Sequence, residues 1–245
     1  MNNQNKIDFI VGWITDYVSK MPNPAKSLVV GVSGGVDSAL TSTLASMTGL
    51  RTIALSMPIS TNSNNSSLGS THGKWLEDKF TNTTFMTIDL TSTYMEFNSL
   101  LTNLDQGSDL GFANTKSRLR MVTLYQVAAA QSGLVVGTGN KVEDFGVGFY
   151  TKYGDGGVDI APIADLYKTE VWELGEYLEV DQRIVDAEPT DGLWSDSRTD
   201  ESQLGASYAE LEEAMETGTG PGVEVLNKFN TQNKHKMEPI PTFKL

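Results

Sequence analysis

The sequence predicts an α/β chain, a three-layer α/β/α sandwich with a mainly parallel sheet. Three observations carry that expectation. Short apolar runs rich in Val, Ile and Leu recur at 27–32, 51–58, 84–90 and 134–138. Segments with helical spacing of apolar residues separate them, which is the pattern of strand–helix–strand units rather than of hairpins. The first run also ends in a glycine-rich turn that leads straight into a helix.

Each element has its own justification. Ile7, Ile10, Val11, Ile14 and Val18 share one face of a helix over 4–20. SLVVGV (27–32) reads as a buried strand and DSALTSTLASM (37–47) as the helix after it. RTIALSMP (51–58) is a second strand, stopped by its proline. Leu68, Trp75, Leu76 and Phe80 mark a helix over 66–80, and TFMTIDL (84–90) a third strand. TYMEFNSLL (93–101) is a helix. NTKSRLRMVTLYQVAAAQSG (114–133) is a longer one, expected to end on Gly133 as its C-cap. LVVGT (134–138) is the fourth strand. Helices are expected again at 167–180 and 204–218, the latter with Ser207 and Glu210 at capping-box spacing. The whole of 1–245 is expected to form one domain. Two polar or glycine-rich segments, about 146–159 and 190–203, are expected to be flexible.

Composition narrows the function. The formal net charge of −13 opposes a nucleic-acid surface, because phosphate backbones would be repelled. The absence of cysteine excludes disulfides, thiolate metal sites and a cysteine nucleophile, and fits a cytoplasmic protein. No run approaches the apolar length of a membrane span, and MNNQNKIDF lacks the basic and apolar regions of a signal peptide.

In a parallel sheet, ligands sit beyond the carboxyl ends of the strands, so the turns after Val32, Met57, Asp89 and Gly137 are the ones to inspect. The turn GVSGGVDS (31–38) points backbone N–H groups and a helix dipole at one spot. Gly31, Gly34 and Gly35 let a phosphate approach the main chain, with Val32 and Val36 in the same turn, and Ser33 and Ser38 add hydroxyl donors. Asp37 stands where an ordinary phosphate loop has lysine. A carboxylate there needs a magnesium ion between it and the phosphates. Without the lysine that reaches a γ-phosphate, the loop suits a pyrophosphate that leaves as a unit while AMP is transferred.

Ser-Gly-Gly-x-Asp-Ser is the signature of the pyrophosphate-loop ATPases. Within that superfamily, GTGNKVE (137–143), TKYGDGGVDIAPIADLYKTEV (151–171), NTKSRLRM (114–121), EPTDGLW (188–194) and HKM (235–237) together resemble the NAD synthetases, in the same order along nearly the whole chain. The resemblance implies a Rossmann-like, adenine nucleotide alpha hydrolase-like fold. It implies an ammonia-dependent ligase that adenylates the nicotinate carboxylate of deamido-NAD with ATP and amidates it, releasing AMP and pyrophosphate. The larger relatives carry a glutaminase domain with a cysteine nucleophile, for which this chain has neither the length nor the residue, so free ammonia is expected as donor.

The same resemblance assigns roles. Asp37 and Glu143 are implied as magnesium ligands. Residues 31–38, Thr138, Lys168 and Thr190 are implied to bind ATP, Lys168 supplying the positive charge that the loop lacks. Arg118, Lys152, Asp159, His235 and Lys236 are implied to bind deamido-NAD. Ser117 departs from the family pattern, which has alanine at that place. Asp155 is expected to orient or deprotonate ammonium. Segment 190–203 is expected to be a lid that shields the adenylate from water, anchored by Trp194. His72, one of two histidines, reads as structural. A homodimer is implied, using the N-terminal helix and helix 114–133. The alternatives are another adenylating synthetase of the superfamily, such as a GMP-synthetase-like ATPase, and a non-catalytic nucleotide-binding protein.

Overall fold

The computed structural model describes residues 1–59, 64–194 and 198–244. The elements run α1 (Asn3–Lys20), β1 (Ser27–Gly31), α2 (Val36–Met47), β2 (Thr52–Ser56), α3 (Asn64–Lys79), β3 (Thr83–Thr87), α4 (Thr91–Thr102), α5 (Asp109–Ala130) and β4 (Gly133–Val136). A π-helical turn (Val142–Val147) follows, then α6 (Lys168–Tyr177), α7 (Gln182–Val185), α8 (Asp200–Leu204), α9 (Tyr208–Thr217) and α10 (Val223–Met237).

The four strands form one parallel sheet in the order β3-β2-β1-β4. Val29 is in register with Ile53 on one side and Val135 on the other. Val136 bridges to Ile160, so segment 158–160 continues the sheet past β4. Ser27–Val30 are buried on both faces, which is why β1 reads as a continuous apolar run rather than an alternating one. α2, with α1, α6 and α7, covers one face: Ile7, Leu40, Leu44, Ile163, Leu174 and Ile184 share one cluster. α5 packs on β1 and β4 from the other face, where Met121, Leu124 and Ala128 meet Val29, Ile53 and Val135. The chain moves outward from β1 through β2 to β3, then returns over α5 to pair β4 on the far side of β1. The carboxyl ends of β1 and β4 therefore flank the point where strand order reverses, the expected place for a ligand.

Several boundaries differ from the sequence expectation. α5 begins at Asp109, capped by the Ser108 hydroxyl, and ends at Ala130. Gly133 is not its C-cap. Ser132 takes the positive φ of 51°, and Gly133 opens β4, where a Cβ would meet Ser27 Oγ at 2.4 Å. The helix expected over 204–218 starts at Tyr208, with the Ser207–Glu210 capping box in place, and residues 200–204 form the separate turn α8. The HKM motif (235–237) forms the end of α10. Among the described residues, no helix is long and apolar enough to cross a membrane.

Candidate active site

The glycine loop closes β1 onto α2. Gly34 has φ +99°, a conformation side chains resist, and it turns the chain back over the helix start. Gly35 is the N-cap of α2 and no side chain caps that helix, so its first-turn N–H groups stay available to an anion. Ser38 Oγ accepts from Ser33 N at 3.1 Å and lies 3.0 Å from Ser33 Oγ, which fixes the loop's shape.

Asp37, in the first turn of α2, meets two partners from across the switch point. Lys168 Nζ donates to Asp37 Oδ2 at 2.5 Å and to Glu143 Oε1 at 3.1 Å. Asn140 Nδ2 donates to Asp37 Oδ1 at 3.0 Å, while Asn140 Oδ1 accepts from the N–H groups of Val142 and Glu143, both at 3.1 Å. One fully buried asparagine thus aligns both carboxylates. Lys168 is only 2% exposed. Burial alone would lower its pKa, but Asp37 and Glu143 outweigh that and carry it above the usual lysine value. It is a permanent cation.

Glu143 and Asp144 sit on the π-helical turn, an element often found at functional sites. Tyr208 closes the other side. Its hydroxyl lies 2.7 Å from Glu143 Oε1 and 3.2 Å from Asp200 Oδ2, and its ring lies 4.9 Å from Lys168 Nζ. The local charge is strongly negative. Desolvation, followed by repulsion from Glu143, raises both Asp144 and Asp200 to about 7. A single lysine does not neutralise this acidic group, so it has room for a further cation. The hard oxygens of Asp37 and Glu143, already converging on one ammonium, fit magnesium, with phosphate oxygens and water completing its shell. Among the described residues, no cluster of three ligand side chains forms a metal cage alone.

The remaining expected residues fall into two groups. Thr138 follows β4 and is half-buried at the switch point, and Thr190 Oγ1 accepts from Gly192 N at 3.0 Å beside Asp191. Along the outer end of α5, Arg118 Nε donates to Lys152 O at 3.2 Å, Lys152 Nζ to His235 O at 3.1 Å, and Lys236 Nζ to Tyr150 O at 2.8 Å. These four basic residues form one strip. Asp159 stands apart, with Oδ1 accepting from Tyr125 OH and Oδ2 from Val135 N. It stitches the sheet edge to α5 beside an open cavity of about 450 Å³, lined by Met121, Val122, Tyr125, Gln126, Tyr153 and Gly157.

Asp155 lies between the strip and the acidic group. Ser117 Oγ donates to its Oδ1 at 2.6 Å, and Thr151 N to the same oxygen at 3.0 Å. Water reaches the residue, but the dense protein around it still raises its pKa above the usual carboxylate value, against the pull of those hydrogen bonds. Sequence reasoning did not find Asn140, Tyr208, Asp200 or Ser117 as contributors. For Asn140 the signal was present: an Asn two or three residues ahead of the amides it caps is a common turn device. Tyr208 and Asp200 had none, because their contacts are set by the tertiary fold. Within the expected lid, residues 195–197 lie outside the described residues. Of the rest, Lys116 Nζ donates to Leu193 O at 2.6 Å and Arg198 lies over the Trp194 ring at 4.4 Å.

The fold and the overall sequence have relatives among known proteins. The profile of the NAD synthase family matches residues 6–240. An NH(3)-dependent NAD(+) synthetase from Carboxydothermus hydrogenoformans is 34% identical, with 96% of each chain covered. Among solved structures, an NMN synthetase from Francisella tularensis superposes with a TM-score of 0.88 at 32% identity over 100% of both chains. An NH3-dependent NAD synthetase from Campylobacter jejuni does so with 0.79 at 26%, again over 100% of both. The chain belongs to the NAD synthase family.

Proposed function

We propose that the chain is an ammonia-dependent ligase that completes NAD, converting deamido-NAD, ATP and ammonia to NAD, AMP and pyrophosphate. The observation that carries this is the convergence of Asp37, Glu143 and Lys168 beside an uncapped helix N-terminus at the switch point. The family relationship supplies the substrates.

The loop N–H groups, Ser33 and Ser38 hold the β- and γ-phosphates of ATP. Lys168 offsets the charge that develops as pyrophosphate leaves. Asp37 and Glu143 would hold magnesium, which supplies further charge neutralisation on the phosphates. The nicotinate carboxylate attacks the α-phosphorus and forms a mixed anhydride with AMP. Ammonia then attacks the carbonyl carbon, AMP leaves with the bonding electron pair, and the surplus proton passes to a base. Asp155 is the group we assign to orienting ammonium and taking its proton. The basic strip of Arg118, Lys152, His235 and Lys236 suits the dinucleotide's pyrophosphate, and Thr138 and Thr190 border the ATP side. The open cavity is one-sided, with the exposed Val122 and Tyr125 in its wall, and α4, α5 and the link between them also expose Met95, Leu100, Leu104 and Leu110. A second copy covering this face would enclose the dinucleotide, which supports a homodimer.

One observation favours a second reading, in which the acceptor is nicotinate mononucleotide: the superposition is closer on the NMN synthetase than on the Campylobacter NAD synthetase. The decisive experiment supplies ATP, magnesium and either ammonium or glutamine with each acceptor in turn. Amidation of deamido-NAD with ammonium alone is the expected result. Preferential amidation of the mononucleotide would establish the second reading, and no amidation of either would overturn both.

A further inference from the structure

Ser117 is buried in the middle of α5, with 6% of its surface exposed, and a serine in that position gains nothing for the helix. Its hydroxyl makes two contacts, both to one residue on the opposite segment. It donates to Asp155 Oδ1 at 2.6 Å and accepts from Asp155 N at 2.9 Å. Among the described residues the only other donor on that oxygen is Thr151 N, and Thr151 is itself tied to α5 through Asn114 Oδ1 at 2.7 Å. The turn 151–155 is therefore pinned to α5, and the pin closest to the carboxylate is Ser117.

We propose that Ser117 is a positioning residue for amidation, holding the Asp155 carboxylate in its charged form and aimed at the incoming nitrogen. This rests on the reading that Asp155 handles ammonia. An alanine here would leave the helix intact but remove the donor from Oδ1 and the acceptor from the Asp155 amide. A hydrogen bond donated to a carboxylate favours its ionised state. Losing it shifts Asp155 further toward the neutral acid, which can neither attract ammonium nor take a proton. The other ionisable groups around Asp155 are Lys236 from α10, Arg120 from α5, Asp144 from the π-helical turn and Tyr150. Two are cations, one is a carboxylic acid and one a phenol; among the described residues none of the four donates a hydrogen bond to the Asp155 side chain, so none replaces Ser117.

The test compares Ser117→Ala, Asp155→Asn and the double variant. Two rates are read across pH: pyrophosphate exchange into ATP with deamido-NAD, and NAD formation from ammonium. For Ser117→Ala, the acid limb of NAD formation is expected to move up by about one pH unit, the size of a charge-assisted hydrogen bond. Pyrophosphate exchange should change less than twofold, and Ser117→Ala should add nothing in the Asp155→Asn background. Ser117→Thr, which keeps the hydroxyl, should restore the limb. An unmoved limb in Ser117→Ala, or additive losses in the double variant, would overturn the role of Ser117. If Asp155→Asn itself left NAD formation intact, the reading of Asp155 would fail instead, and the two failures are distinct.

Discussion

Lys168 Nζ lies 2.5 Å from Asp37 Oδ2, joining the first turn of α6 to the first turn of α2 across 131 residues of sequence. The pair, with Glu143 on the same ammonium, locks the two sides of the switch point together. Lys168→Met would leave two carboxylates facing each other without their cation. Breaking such a pair by removing one partner typically costs about 3 kcal/mol or more. Urea unfolding should show that loss. Magnesium alone should then stabilise the variant more than it stabilises the parent, since the ion takes over a charge the parent already supplies. Pyrophosphate exchange should fall by at least roughly a hundredfold, the size expected when a charge stabilising the leaving group is lost.

Asn140 predicts a contrast between a truncating and an isosteric substitution. Asn140→Ala removes the donor to Asp37 and the acceptor for two backbone amides, a loss of about 1–3 kcal/mol because those N–H groups stay buried. Asn140→Asp keeps the acceptor but puts a carboxylate against Asp37. If the main role of Asn140 is to aim the carboxylates, both variants lose exchange activity. The aspartate variant should be the weaker of the two at pH 8 and recover as pH is lowered. Equal activity of Asn140→Asp and the parent at pH 8 would contradict the geometry.

The sequence marks His72 as structural, and its surroundings give that role a pH dependence. It is 1% exposed, stacked on Trp75 at 5.2 Å and 3.2 Å from Ser42 Oγ. Desolvation lowers its pKa from 6.5 to about 4. The unfolded chain therefore binds a proton before the folded one does. The stability this group contributes is full above pH 6.5 and is lost as pH falls from there towards 4, by about 3 kcal/mol in all. His72→Gln should flatten that part of the stability profile, measured by denaturation at fixed pH values.

Asp200 has the opposite sign. Its folded pKa is raised to about 7, desolvation being the first cause, so the fold prefers its neutral form. Its contribution is favourable at low pH and is lost as pH rises through 7. Among the described residues its Oδ1 has no hydrogen-bond partner, which adds to the cost of ionising it. In EDTA at pH 8, Asp200→Asn should be more stable than the parent, and the difference should shrink as pH falls below 7 and vanish only near 3.8, where the unfolded carboxylate also takes its proton. A destabilised asparagine variant at pH 8 would mean the carboxylate is paired in a way these contacts do not capture.

Most of this architecture is legible in the sequence where one local signal suffices. The glycine loop between a buried strand and a helix identifies both the parallel sheet and the phosphate end of the site. The misses share a different cause. α10 carries its apolar residues, Val223, Val225, Leu226 and Phe229, in its first half, with only Met237 at its far end. Its second half docks through Asn230 and Asn233, which donate to Gly146 O and Val147 O, so hydrophobic spacing fades before the helix ends. The π-helical turn is specified by a handful of residues, too few for any periodicity. Tyr208 and Asp200 enter the site because α8 and α9 pack against that turn, information held in tertiary contacts alone.

The exposed apolar residues offer two candidate faces for a dimer, and charge insertion separates them. One is on α1, where Phe9, Trp13 and Tyr17 are exposed; the other is on α4 and α5, around Val122, which is 67% exposed. Only the second adjoins the open cavity and the basic strip. A glutamate at a buried interface would have to be desolvated without a partner, which blocks association. Val122→Glu should therefore yield a monomer by sedimentation equilibrium, with weakened binding of deamido-NAD and an unchanged melting curve for the isolated fold. Trp13→Glu should leave both assembly and binding as they were. If Trp13→Glu dissociates the protein and Val122→Glu does not, the dinucleotide site is complete within one subunit, and the α5 face serves another purpose.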